Sequence, residues 1–282
     1  MVTLDPRRIR RVLLATVAVL AVLTALSRSA HHWAPGSPTA YGLGIFDAGL
    51  EASVATFLTA LLLLASAVLA AAAARADALM AWRWRLFALV LAVLAIDEAV
   101  ELHEMTIGPV RRLLDAGGVL YFAWVVPGAL FVVALVVVLR PLLDSLPRRE
   151  RRVLVVAGAL FFGGAIGFEL AEGWVFENHG GDEAVALIPL ISVEETFEMV
   201  GVVLLLHGLM LHLAPWAGTV QLAVDSGSAR QPLRARHEAR VDEGEGLADQ
   251  LGPDGAGFDE LVDGEPADDG RHDARDVLRG HR

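Results

Sequence analysis

The run Leu86-Phe87-Ala88-Leu89-Val90-Leu91-Ala92-Val93-Leu94-Ala95-Ile96 passes straight into Asp97-Glu98-Ala99-Val100-Glu101-Leu102-His103-Glu104. Eleven residues without a polar side chain are followed by eight that hold five ionisable ones. A helix at a protein–water boundary alternates apolar and polar positions with a period of 3.6, and the first part of this run does not. It reads instead as a helix in lipid. Charge at the end of such a span is expensive and marks a functional site by default.

Working outward, five more apolar runs appear, at residues 12–26, 46–73, 119–139, 153–172 and 186–213. The chain is 55% hydrophobic, against about 45–50% for a soluble domain, and its mean hydropathy is +0.53. The expected fold is all-α, a polytopic membrane helix bundle of about six transmembrane helices over residues 1–216. The first run follows Arg7, Arg8, Arg10 and Arg11, and is read as a retained span. Ser27 and Ser29 leave a cleaved signal peptide as the alternative. Residues 31–38 read as a loop from their Pro and Gly, as do the residues carrying Arg111 and Arg112. Beyond residue 216 the apolar runs stop. The last seventy residues hold 15 acids and 8 Arg, too polar to bury a core, so residues 217–282 are expected to be a disordered acidic tail. There is no Cys, which excludes disulfides, thiolate metal sites and Cys nucleophiles.

Arginine clusters stand before the first run, around Arg75, Arg83 and Arg85, and at Arg140, Arg148, Arg149, Arg151 and Arg152. Basic loops stay cytoplasmic. Six spans in the plasma membrane would then put both termini in the cytoplasm. They would also bring Glu51, Asp97, Glu98, Glu101, Glu104, Glu169, Glu172, Glu194, Glu195 and Glu198 to the outer half of the bilayer. At 1.5 Å per residue, Glu194 and Glu198 lie about 12–18 Å from the start of their run. At 100° per residue Asp97, Glu101 and Glu104 share one helix face, whereas His103 projects roughly opposite. Ala165 and Gly201 fall on the acid-bearing faces and suit close helix approach. His207 and His212 lie toward the inner side and read as structural, His31, His32 and His179 as outer-loop residues. The Trp residues read as an interfacial belt.

These ten carboxylates have no Arg or Lys within their own runs, so they need protons, bound cations or water. Four Glu-x-x-Glu or equivalent spacings, Glu98 with Glu101, Glu101 with Glu104, Glu169 with Glu172 and Glu195 with Glu198, put carboxylates on successive turns. Facing helices use such groups to build metal sites. An oxygen-rich set with His103 suits a divalent Mn, Fe, Mg or Ca ion. No G-x-S-x-G, Walker A, dinucleotide or H-E-x-x-H motif occurs, and nothing supports nucleic-acid binding.

Asp97-Glu98 with His103-Glu104, then Gly167-Phe168-Glu169, then Glu194-Glu195-x-x-Glu198-Met199-x-Gly201, resembles a widespread group of uncharacterised prokaryotic polytopic membrane proteins. That resemblance implies no established activity. The Glu-x-x-Glu pairs are also similar to the iron-permease motif Arg-Glu-x-x-Glu, but Asp97, Val100, Phe168 and Glu194 stand where its Arg would be. Three readings follow: a metal-dependent enzyme acting on a lipid or other membrane-soluble substrate, a cation or proton-coupled transporter, and a non-catalytic membrane subunit.

Overall fold

The computed structural model describes residues 5–50, 52–181 and 184–216. The expected acidic tail and Glu51 lie outside the described residues. Among those described there are eight α-helices and no strand: α1 (Pro6–Trp33), α2 (Pro38–Leu43), α3 (Val54–Ala76), α4 (Ala81–Val100), α5 (Glu104–Leu114), α6 (Val125–Ser145), α7 (Arg148–Asn178) and α8 (Leu187–Leu213). Five of them, α1, α3, α6, α7 and α8, are long and apolar enough to cross a membrane. The chain is a multi-pass membrane protein. The sixth expected span, α4, has the length, but Arg83 and Arg85 at one end and Asp97 and Glu98 at the other set it apart. It returns along α3 after a four-residue connection and packs closely against it.

Local chemistry sets the helix starts. Asp5 accepts the amide of Arg7 at 2.9 Å ahead of Pro6, and Ser53 accepts the amide of Thr56 at 3.0 Å at the head of α3. These are side-chain N-caps, each of which stabilises its helix by about 1 kcal/mol. The centre of the bundle is α8, which packs against α7, α1 and α3. Apart from its three acids and two histidines it is largely apolar on every side, as suits a helix enclosed by others. Met199, Val202, Val203 and Leu209 are buried within it. Between α3 and α4 the contact is made by small residues, Ala67, Ala70 and Ala73 opposite Leu91 and Ala95, which lets the two backbones approach.

Three expected loops are shorter than the sequence implies. α1 continues through His31, His32 and Trp33 and stops only before Pro35-Gly36. α7 runs on to Asn178, so Glu177 is helical and accepts the amide of Gly118. Residues 104–114 form α5, whose Met105, Leu113 and Leu114 alternate with Glu104, Arg111 and Arg112. Pro109 sits inside α5, a helix with no buried residue, where the carbonyl it leaves without a donor can bond solvent. The belt reading of the Trp residues fails at Trp84, which is fully buried.

Candidate acidic cavity

One end of the bundle is closed by a folded-back segment. Thr24 on α1 donates to the carbonyl of Phe46 at 2.9 Å and accepts the amide of Ala48 at 3.3 Å. These bonds pin residues 46–48 beside α1 and place Asp47 against Arg28, at 3.0 Å. Burial pushes the Asp47 carboxyl above its ordinary pKa, against the pull of the Arg28 guanidinium.

Beneath this segment lies a cavity of about 440 Å³, within the usual size of a small-molecule site. Asp97, Glu98, Glu101, His103 and Glu104 line it from the end of α4 and the start of α5. Glu169 and Glu172 line it from α7, and Glu194, Glu195 and Glu198 from α8. Every described candidate residue therefore borders the same space. Its other walls are apolar, including Leu94, Phe131, Phe161 and Ile166. Glu104 and Thr106 are exposed and form the rim, while Glu172 and Glu194 are 6% and 7% exposed.

The α4 wall is not the continuous helix face that the spacing implies. Glu101 adopts a left-handed conformation, φ 50° and ψ 48°, and ends the helix, at a cost of roughly 1–2 kcal/mol for a residue with a Cβ. The chain then doubles back. The His103 amide donates to Asp97 Oδ1 at 2.9 Å, and its ring Nδ1 lies 3.0 Å from Asp97 Oδ2. His103 thus joins Asp97 at the cavity instead of projecting away from it. The shared face expected for Asp97, Glu101 and Glu104 does not exist as a helix face, although all three border the cavity. Burial of the imidazole works against protonation, but the Asp97 hydrogen bond and the charges of Asp97, Glu169 and Glu104 hold the His103 pKa above its ordinary value.

Glycines set the α7–α8 wall. A Cβ on Gly201 would stand 2.7 Å from the backbone nitrogen of Phe161, and one on Gly164 would stand 3.0 Å from Glu198 Cγ. Their absence lets the helices touch, as expected for Gly201. Where these helices meet, Glu172 on α7 and Glu194 on α8 are both buried and both line the cavity. Two carboxyls buried at one cavity wall need a proton or a cation there. No N–H or O–H donor reaches the buried Glu172 Oε1 or Glu169 Oε2.

Three contributors escaped the sequence reading. Arg28 stands at the end of an apolar run, where an arginine marks the membrane interface, yet among the described residues it is the one arginine lining the cavity, and its charge acts on Asp47, Glu172 and Glu195. Asp47 anchors it. Trp124 looked like part of a belt, yet its indole donates to Glu169 Oε1 at 3.1 Å and its ring packs 4.5 Å from that of His103. A detectable signal was Gly128, one turn further on, where a Cβ would stand 2.7 Å from the Trp124 ring. Among the described residues no group of three or more His, Asp or Glu side chains converges closely enough to hold a metal ion.

A family model described as a domain of unknown function, DUF8692, matches residues 12–213. The chain belongs to this family. The matched region takes in nearly all of the bundle and every acid of the cavity. No curated protein and no solved structure matches the chain.

Proposed function

We propose that this DUF8692 protein uses its acidic cavity to bind a divalent cation from the outer face of the plasma membrane, with both termini in the cytoplasm. The observation that carries this reading is the charge balance. Among the described residues, nine carboxylates line a cavity that offers one guanidinium and one imidazole in return. Such an excess in a site with apolar walls needs further positive charge. The donors are nearly all oxygen, which suits Mn, Fe, Mg or Ca. In the catalytic form of this reading, the cation activates water or dioxygen toward a membrane-soluble substrate, and a carboxylate outside the ligand set is the general base.

A second reading has its own observation. Glu172 and Glu194 are both buried and both line the cavity, an arrangement that a carboxyl pair holding a proton would tolerate. It favours a proton-coupled transporter, with the acids as a relay. Metal analysis of the full-length, detergent-purified protein under metal-replete conditions separates the two. The cation reading expects stoichiometric metal in the wild type and at least a tenfold loss of affinity in Glu198→Gln. Metal-free wild type that releases protons on a pH jump would replace it with the relay.

A further inference from the structure

We propose that an apolar cleft between α4, α6 and α7 receives the hydrocarbon chain of a membrane amphiphile whose cationic head sits among the acids of the adjoining cavity. The cleft encloses about 650 Å³, and every residue lining it is apolar. It exists because α6 packs loosely against both neighbours and because α7 presents Gly158, Gly163 and Gly167 to it. A Cβ on any of the three would meet nothing within 4 Å. Along α7 the lining runs from Leu154 to Gly167, about 20 Å at 1.5 Å per residue. One leaflet is about 15 Å of hydrocarbon, half of a core about 30 Å thick.

A void of this size forfeits dispersion contacts along its walls, and in a bilayer hydrocarbon is what fills it. Continuity with the acids makes the occupant more than bulk lipid. Leu94, Phe161, Phe162 and Ile166 line both spaces. A chain in the cleft therefore ends at the acids. There the Glu172 carboxyl is 6% exposed, and no N–H or O–H donor reaches its Oε1. An ammonium head supplies both hydrogen-bond donors and the missing positive charge. An anionic head would meet nine carboxylates, with Arg28 already bound to Asp47. This inference deepens the cation reading by naming an ammonium-headed amphiphile for the same cavity, but it does not require a metal ion.

The test uses the full-length protein in phosphatidylcholine nanodiscs. The probe is a sixteen-carbon alkyl amine with a mid-chain diazirine and a terminal alkyne. After photolysis, adducts should concentrate on the cleft-facing residues of α4, α6 and α7. Excess hexadecylamine should reduce them at least fivefold, and the same chain with a carboxylate head should label at least fivefold less. These arms need only wild-type protein. Gly163→Leu and Gly167→Leu, whose side chains enter open space, should lower labelling by a similar factor while metal content stays unchanged. Adducts spread evenly over outward residues such as Val19 and Val68 would overturn the proposal. So would equal labelling by both head groups, or cross-links showing a second copy seated in the cleft. Probe binding by a protein that takes up no metal would sink the cation reading alone and leave this one standing.

Discussion

The two ends of the bundle treat their acids in opposite ways. At the end away from the cavity, each described acid has a local partner. Glu150 accepts from His212 at 2.8 Å, Asp77 receives the Trp84 indole at 3.4 Å, and Asp144 pairs with Arg140 and Arg151. Trp84 stacks on the His212 ring at 4.9 Å, and Arg10 donates to His207 Nε2 at 3.2 Å, which leaves the His207 proton on Nδ1. These groups fill their space. At the cavity end, nine acids among the described residues surround an open volume with His103 and Trp124 as near partners, while Arg28 pairs with Asp47. Matched charge packs helices together, whereas surplus charge around a void stays available to a ligand.

The contrast predicts that damage at the packed end is structural. Trp84→Ala should lower stability in detergent by about 3–5 kcal/mol through the cavity it leaves, read as a fall in unfolding temperature. A shift within scan error would mean that this end is not the cohesive one. At the open end the largest effect should come from Arg28→Met, which strands a buried Asp47 and costs about 3 kcal/mol. Adding Asp47→Asn should recover most of that loss. A double variant as unstable as the single one would show that Arg28 serves the other acids more than Asp47.

The acids themselves should behave differently. Glu172→Gln removes a buried acid from a crowded wall, so stability should hold or rise by about 1 kcal/mol, while on the cation reading affinity falls at least tenfold. A large loss of stability instead would class the acids with the packed end. The smallest effect concerns His103. Its pKa is raised in the folded protein, so its contribution is complete below the unfolded value of about 6.5 and fades as pH rises through the folded one. His103→Gln should flatten that fall in unfolding temperature. Parallel pH profiles for variant and wild type would detach His103 from Asp97.

Convergence of the acids was legible because carboxylates are rare in apolar runs, and alternating span directions send Asp97, Glu169 and Glu194 to one end. The course of the chain after Val100 was not legible. Helical extrapolation assumes every residue keeps helical dihedrals, and nothing in Glu101 itself announces a left-handed turn of the kind usually given to Gly or Asn. Arg28 was hidden for a related reason. At the end of an apolar run an arginine normally marks the interface, and only the fold-back of residues 46–48 onto Thr24 turns it into the counter-ion of a site. Five helices were plain from length and composition, whereas α4 carries its site residues in the positions that weaken its span signal.

Gly164 and Gly201 touch no ligand in any of these readings, yet they set the gauge of the chamber. The distance between the walls that bear Glu172 and Glu194 depends on two methyl groups that are missing behind them. Adding either one would pry the walls apart like a shim. On the cation reading proposed above, the radius of ion that fits would be encoded partly in residues that bear no charge, and a relative with Ala at position 164 or 201 should prefer a larger ion with an unchanged set of acids.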